Sequence, residues 1–244
     1  MISLFSQFGY LMIGGALLAG ASRMRWRTFL RGNLPAAVDR RQAAIGLVAL
    51  ACAVLFTKIA EDVVHHESTQ FDWAASLWVH RFDTPTLDLV MRLFSFIGSF
   101  PVIAVSGLLV LTWCWHRRDR AAFAGLIGVM AINETLNFAL KHHFERSRPD
   151  LFQEIATLHT YSFPSGHAMA AVAIWGMIAL VIVRLAPRLR LWIAVPVFAL
   201  ILLIGLSRIY LGVHWITDVL AGYAAGATIL FAGALWLASY PAEP

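Results

Sequence analysis

One polar stretch near the carboxyl end of the chain carries residues that are able to do chemistry. It runs from Ser207 to Asp218 and places a serine, an arginine, a histidine and an aspartate between two long apolar runs. His214 and Asp218 are four residues apart, so on a helix they lie one turn apart on one face. The carboxylate can then hold one imidazole nitrogen and leave the other free to attack. Arg208 adds a fork of donors suited to phosphate.

Two further polar stretches precede this one. Lys141 ends an apolar run and is followed seven residues later by Arg148. The segment Pro164-Ser165-Gly166-His167 then stands immediately before the next apolar run. Each stretch has an ordinary structural explanation when taken alone, such as a cation at a span end or a serine that starts a helix. Their combination on one side of a membrane is what predicts a site.

Composition predicts a membrane protein. The chain has 244 residues, of which 59% are hydrophobic and 14% charged. A soluble domain of this size would need more polar surface, and several apolar runs reach the ~20 residues needed to cross a bilayer. The formal net charge of +5 does not indicate nucleic-acid binding, because the basic residues form short clusters between spans. Cys52 and Cys114 lie inside predicted spans, which argues against a disulfide framework.

The apolar runs predict an all-α bundle with seven membrane spans. They cover residues 2–20, 43–60, 94–115, 121–140, 167–185, 191–206 and 213–237. The first run lacks the basic residues that precede the apolar core of a signal peptide, so we interpret it as an uncleaved span. Pro101 is expected to kink the third span near its outer end. Gly222 and Gly226 suit close helix contact in the last span.

The predicted spans divide the chain into three parts. Residues 1–42 would form an N-terminal span with a basic cytoplasmic connector, residues 43–237 a membrane core, and residues 238–244 a cytoplasmic tail. In the connector after the second run, Phe71, Ala75, Trp78 and Phe82 share one helical face, and Asp72, Ser76, His80 and Asp83 share the opposite face. This pattern predicts a short amphipathic helix in the membrane interface. We interpret it as an anchor, with a lid over a lipid headgroup as the alternative.

Arginine distribution predicts the orientation of the spans. The arginines in the connectors after spans one, three and five are Arg23, Arg25, Arg27, Arg31, Arg40, Arg41, Arg117, Arg118, Arg120, Arg184, Arg188 and Arg190. The opposite connectors hold far fewer basic residues. The positive-inside rule therefore predicts a multi-pass protein of the cell (inner) membrane with a cytoplasmic C-terminus. All three polar stretches then face the periplasm or the outside.

These stretches resemble the three signature blocks of the type 2 phosphatidic acid phosphatases, which share an ancestral core with vanadium haloperoxidases. Lys141 to Pro149 fits K-x6-R-P, Pro164 to His167 is P-S-G-H, and Ser207 to Asp218 fits S-R-x5-H-x3-D, in the order of the family. The resemblance covers about residues 43–237. It implies the six-helix membrane core of the family, with the first span as an addition.

The resemblance implies a role for each charged residue. His214 would attack phosphorus in line and form a covalent phosphohistidine, while Asp218 would fix its tautomer and stabilise the charged ring. Lys141, Arg148 and Arg208 would neutralise the non-bridging oxygens, whose charge must be held during phosphoryl transfer. These assignments agree with the chemistry of the residues themselves.

The P-S-G-H block has its own implied roles. Ser165 and the backbone N–H groups of Gly166 and His167 would bind an anion, because helix starts leave donors unsatisfied. His167 would protonate the departing alkoxide and then activate water. Pro164, Ser207 and Tyr161 are expected around these groups.

Other polar residues are less defined by their spacing. Glu134, Asn137 and Lys141 share a face of the fourth span, so Asn137 would steady Lys141, with interhelical hydrogen bonding as the alternative. Arg146 would face either the anion or a headgroup. No set of Asp, Glu and His residues has metal-ligand spacing, so the predicted reaction uses neither a metal nor a cofactor.

The leading functional prediction is a phosphatase that acts on a lipid phosphate or diphosphate monoester. Undecaprenyl diphosphate, phosphatidylglycerophosphate, phosphatidic acid and a lipid A phosphate all suit an outward site. A lipid phosphotransferase would use the same residues. A transporter or scramblase would need polar residues through the membrane depth, and a vanadate-dependent peroxidase does not suit a membrane core. The bilayer and the lipid are the only partners predicted, with no nucleic acid and no protein.

Overall fold

The computed structural model describes residues 40–149 and 160–240. Its α-helices, in chain order, are α1 (Arg40–Val64), α2 (Thr69–His80), α3 (Pro85–Ile97), α4 (Phe100–His116), α5 (Arg120–Phe144), α6 (Gly166–Ala170), α7 (Gly176–Leu185), α8 (Arg190–Tyr210) and α9 (Ile216–Ser239). A π-helical turn, Ala171–Trp175, joins α6 to α7, and a 3-10 turn, Pro187–Leu189, precedes α8. These described residues contain no β-strand, which confirms the all-α class.

The described helices agree with a six-span core. Five are long and apolar enough to cross a membrane, namely Arg40–Val64, Arg120–Phe144, Gly166–Leu185, Pro187–Tyr210 and Ile216–Ser239. Helices α3 and α4 pass the same test as one bent pair, which makes six. Large apolar side chains such as Leu191 and Trp192 are 74% and 79% exposed, as expected for surfaces that contact lipid. The first apolar run, residues 2–20, lies outside the described residues, so its span stays a prediction.

The third predicted span is broken rather than kinked. Helices α3 and α4 meet at an angle of 48°, and the break falls at Gly98 and Ser99. Pro101 lies in the first turn of α4, where its missing N–H removes no helical hydrogen bond. The proline therefore starts a helix, and the break brings Gly98 to the wall of the cavity described below.

Helix α9 holds the start of α6 by direct backbone contact. A Cβ atom at Gly222 would lie 2.7 Å from the carbonyl oxygen of Ser165, and one at Gly226 would lie 2.4 Å from that of Met169. Both distances are too short for any side chain, so the predicted close contact of these two glycines is confirmed. Because Ser165 precedes α6, this contact positions the P-S-G-H segment.

The predicted amphipathic helix is α2, and its polar face is turned into the protein. Asp72 and Ser76 are 1% and 2% exposed, whereas Phe71 and Trp78 are more than half exposed. An exposed aromatic face is typical of a helix that lies in the membrane interface. The buried polar face has to be satisfied by other protein groups.

The backbone contact of α9 generates a stability prediction. We expect Gly226→Ala to destabilise the protein by about 1–3 kcal/mol, because the new methyl group collides with the Met169 carbonyl. Gly128→Ala is the matched control, because a Cβ there meets nothing within 4 Å. The measurement is the thermal unfolding midpoint of each variant in detergent. Equal midpoints for the two variants would contradict the close packing.

Candidate active site

The three predicted polar stretches meet around one cavity of about 250 Å³. Six of the predicted site residues line it, together with Asn137, which was expected beside them. The six are Lys141, Arg148, Gly166, His167, Arg208 and His214. They come from the end of α5, the loop that follows it, the start of α6, the end of α8 and the loop before α9. Residues far apart in the sequence thus converge at one end of the bundle.

The expected pair of His214 and Asp218 is present, but it does not lie on a helix. Helix α9 begins at Ile216 with Trp215 as its N-cap, so His214 belongs to the preceding loop. From the first turn, Asp218 Oδ2 reaches back to accept the Trp215 N–H at 2.9 Å and lies 3.3 Å from His214 Nδ1. A spacing of four residues brings two side chains together on one helical face. It also brings together a residue just before a helix and a first-turn residue whose side chain reaches back to cap that helix. The expectation of one helical face was therefore wrong, although the contact is made.

The surroundings of His214 define which nitrogen is available. Asp218 is a hydrogen-bond acceptor beside Nδ1, while Arg148 Nη1, which has only protons to offer, lies 3.3 Å from Nε2. The network therefore assigns the proton to Nδ1 and a lone pair to Nε2. Burial, followed by the charges of Arg148, Lys141 and Arg208, holds the pKa of His214 well below its ordinary value of 6.5. The imidazole is consequently neutral, as a nucleophile must be.

Arg148 is held almost entirely by neutral oxygen atoms. Its Nη1 donates to the Val213 carbonyl at 2.6 Å, and its Nε and Nη2 donate to the Thr160 carbonyl and hydroxyl at 2.8 and 2.9 Å. Burial lowers the pKa of the Arg148 guanidinium, with a smaller opposing effect from Asp218. These bonds orient the side chain without neutralising its charge.

The other two cavity cations have the same kind of partner. Lys141 Nζ donates to the carbonyl oxygen of Tyr161, and Arg208 Nη1 donates to the hydroxyl of Ser95 on α3. Within the described part of the chain, neither Lys141 nor Arg208 forms an ion pair with a carboxylate. Their charges are therefore available to an anion in the cavity.

The P-S-G-H segment is fixed by α9. The N–H of Ser165 donates to the Asp218 carbonyl at 2.9 Å, which ties the start of α6 to the start of α9. A Cβ at Gly166 would lie 2.9 Å from Asn137 Oδ1, so the start of α6 lies close against the Asn137 amide. The Ser165 hydroxyl is fully buried and has no hydrogen-bond partner among the described residues. Gly166 and His167 line the cavity, whereas Ser165 does not.

The outer residues that we predicted have structural partners. Ser207 Oγ donates to the Ile204 carbonyl at 2.6 Å within α8, and Pro164 follows a cis peptide bond. Tyr161 contributes its carbonyl oxygen, as described above. The Asn137 amide donates to Met169 Sδ at 3.6 Å, and no bond from it to Lys141 is found in the described residues. Asn137 thus follows the interhelical alternative and not the expected support of Lys141.

Several residues at the site were missed or left open by the sequence analysis. Arg146 does not line the cavity of the three cations, and it bridges Asp72 on α2 and Asp218 on α9. Ser95 and Thr160 hold cations and have no distinguishing sequence signal. For Asp72, the signal was its place on the polar face of an amphipathic helix.

No group of three His, Cys, Asp or Glu side chains in the described part of the chain is placed to hold a metal ion. Glu134 lines the cavity below Lys141, and its Oε1 accepts from Asn133 Nδ2 at 3.1 Å. The cavity therefore combines three cations, two histidines and one more distant carboxyl group, a set suited to a phosphate ester.

Comparison with known proteins gives consistent results. The profile of the PAP2 superfamily matches residues 122–240. Phosphatidylglycerophosphatase B of Bacillus subtilis (strain 168) is 32% identical over 189 residues, which cover 72% of this chain and 89% of that protein. The lipid A 4'-phosphatase of Porphyromonas gingivalis is 28% identical over 181 residues, covering 66% of this chain and 74% of the relative.

Structural comparison extends the likeness to the whole bundle. The crystal structure of a transmembrane PAP2 type phosphatidylglycerolphosphate phosphatase from Bacillus subtilis has a TM-score of 0.72 and 26% sequence identity to this chain. The match covers 76% of this chain and 94% of that one. The chain therefore belongs to the PAP2 superfamily, as a multi-pass membrane protein with the fold of its transmembrane phosphatases.

Proposed function

We propose that this protein is a membrane-integral phosphatase that removes a phosphate from a lipid phosphate or diphosphate monoester through a phosphohistidine. One observation carries the proposal: His214, whose Nε2 carries a lone pair beside Arg148, lines a cavity in which three cations from separate elements converge. A nucleophile and an anion cradle in one small, largely buried space are the parts that phosphoryl transfer requires.

The first half of the reaction forms the phosphoenzyme. The lone pair of His214 Nε2 attacks phosphorus, and the bond between phosphorus and the ester oxygen breaks. Lys141, Arg148 and Arg208 hold the negative charge on the non-bridging oxygens. A protonated His167 gives its proton to the departing oxygen, so the lipid leaves as an alcohol, or as a lipid phosphate when the substrate is a diphosphate. Asp218 keeps the Nδ1 proton and stabilises the positive charge of the phosphorylated ring.

The second half regenerates the free site. Neutral His167 takes a proton from a water molecule as that water attacks phosphorus. The bond between phosphorus and Nε2 breaks, and its electron pair returns to His214. Inorganic phosphate leaves with the water oxygen, and His167 is protonated again. The net reaction consumes one water and one lipid phosphate and yields one alcohol and one inorganic phosphate; a lipid diphosphate yields one lipid phosphate and one inorganic phosphate.

A lipid is the substrate class that the surroundings favour. The relatives named above are a phosphatidylglycerophosphatase and a lipid A 4'-phosphatase. The cavity has room for a phosphate headgroup, while the exposed apolar helices keep the site beside the acyl region of a bilayer. A lipid can therefore present its phosphate to the cavity without leaving the membrane.

We place the site on the extracytoplasmic face. Arg117, Arg118 and Arg188 lie in the connectors, and Arg184 lies in the last turn of α7, at the end of the bundle opposite the site. Such arginines favour the cytoplasmic side. The three cavity cations are able to hold the phosphate by themselves, so we also propose that no metal ion takes part.

The activity is testable with a panel of lipids. Purified protein is expected to release inorganic phosphate from at least one of phosphatidylglycerophosphate, phosphatidic acid, a lipid A phosphate and a polyprenyl diphosphate, equally well with EDTA present. His214→Ala should lower kcat about 10⁴-fold or more, because the nucleophile is lost. Phosphate that appears on a second lipid instead of in solution would indicate a phosphotransferase. No turnover on any of these lipids would reject the proposal.

The two roles of His167 predict a trapped intermediate. His167→Asn should turn over lipid phosphates about 10²- to 10⁴-fold more slowly. With p-nitrophenyl phosphate, whose leaving group needs no proton, the same variant should form the phosphoenzyme but hydrolyse it slowly. The expected signal is a burst of nitrophenolate that matches the amount of protein, with acid-labile phosphate on the chain. His142→Asn, an exposed histidine on α5, is the control and should behave as the wild type.

The proposed orientation predicts a labelling pattern in intact cells. A membrane-impermeant maleimide should label His65→Cys, which lies at the exposed end of α1, and should label Arg188→Cys only after permeabilisation. The unsubstituted chain serves as the control, because Cys52 and Cys114 lie within spans. Labelling of Arg188→Cys alone would place the site in the cytoplasm.

A further inference from the structure

Arg146 joins two carboxylates that come from opposite ends of the described chain. Its Nη1 donates to Asp218 Oδ1 at 2.6 Å and to the Thr217 hydroxyl at 2.8 Å, and its Nη2 donates to Asp72 Oδ2 at 2.6 Å. The side chain is only 16% exposed, and its guanidinium lies 5.7 Å from the centre of the Trp215 ring. With two carboxylates satisfied, this arginine is not a fourth cation for the substrate.

Asp72 caps the start of α9 from another helix. Its Oδ1 accepts the backbone N–H of Thr217 at 3.0 Å, and its carboxylate also accepts the Thr217 hydroxyl at 2.8 Å. Thr217 directly precedes Asp218, so these bonds hold the first turn of α9, the turn that carries Asp218. The N–H groups at a helix start lack intrahelical partners, which makes this a favourable place for a carboxylate.

The bonds around Asp218 divide its two oxygens between two tasks. Oδ1 is taken by Arg146, and Oδ2 accepts the Trp215 N–H and faces His214 Nδ1. A carboxylate held at both oxygens is unable to rotate. The oxygen that faces His214 is therefore determined by the guanidinium of Arg146, and the guanidinium is in turn held by Asp72.

We propose that Asp72 and Arg146 are positioning residues for His214, and that they act through Asp218. Asp72 lies on α2, whose other face carries the exposed aromatic residues Phe71 and Trp78. The alignment of the nucleophile thus depends on a helix of the membrane interface that contributes nothing to the cavity lining. The inference rests on the proposed phosphatase activity, since alignment of His214 has meaning only for that reaction.

Asp72→Asn tests the inference with two inhibitors that report different properties. The anion cradle does not involve Asp72, so KM and the inhibition constant of inorganic phosphate should stay within twofold of the wild type. The value of kcat should fall roughly 10- to 100-fold, the range for residues that orient a reacting group from outside. Inhibition by vanadate, which imitates the five-coordinate state and needs His214 in line, should weaken in parallel with kcat.

A purely structural role for Asp72 predicts a different result. A variant that only lost part of its folded molecules would show a lower kcat, but the remaining molecules would bind vanadate as the wild type does. Arg146→Lys is the second variant, because it keeps the charge and loses the fork that contacts both carboxylates. Its kcat should fall, and its inhibition by vanadate should weaken in parallel. This variant provides the test if Asp72→Asn fails to fold.

Asp62→Asn is the matched control. Asp62 lies near the end of α1, and it forms a partly exposed ion pair with Lys58 at 3.0 Å, so the same substitution there should leave all four constants unchanged. The inference is overturned if Asp72→Asn and Arg146→Lys match this control, or if kcat falls while vanadate inhibition is unaltered. Inactivity of the wild type on every lipid phosphate would instead refute the proposed function, so the two failures are distinguishable.

Discussion

Separation of charge within a small buried volume is the constraint on which the site depends. Lys141, Arg148 and Arg208 are held by carbonyl and hydroxyl oxygens, so their bonds orient them and leave their charges uncompensated. A buried charge is costly unless it is paired. Among the described residues, none of these three cations forms an ion pair with a carboxylate. The cost must be met by the packing of the bundle, and under the proposed function a bound phosphate would relieve it. The same arrangement that destabilises the empty site would therefore favour a bound anion.

The packing that bears this cost is centred on the junction of two helix starts. The N–H of Ser165 donates to the Asp218 carbonyl, and Gly222 and Gly226 bring the backbone of α9 against that of the α6 segment. Both starts lie at the cavity end of the bundle, where the N–H groups of Trp215 and Thr217 at the start of α9 are bound by the carboxylates of Asp218 and Asp72. Because the contacts are between backbones, small changes in side chains elsewhere leave the relative position of His167 and His214 intact.

The sequence predicted the spans of the described core and six of the residues that line the cavity, but not the groups that hold them. Apolar runs and short motifs are local properties, so the helices and the convergence of Lys141, His167 and His214 followed from them. The bend at Gly98 and the loop position of His214 did not, because each local pattern was compatible with a continuous helix. The bridge from Arg146 to Asp72 spans 74 residues. No motif or spacing in the sequence links these two residues, because their pairing depends on the packing of α2 against α9.

The acidic side of the imidazole complements the basic side. With both carboxylates ionised, Asp72, Arg146 and Asp218 carry one net negative charge on the Nδ1 side of His214, while the guanidinium of Arg148 lies beside Nε2. In the proposed reaction the phosphorylated ring keeps its Nδ1 proton and is positively charged, so this net negative charge would stabilise it. Asp218 paired with Arg146 alone would be close to neutral and would offer less. The carboxylate of Asp72, supplied by α2, thus restores the negative charge that the guanidinium of Arg146 neutralises. The carboxylate of Asp218 is held rigidly, and the Nδ1 side of His214 stays negatively charged.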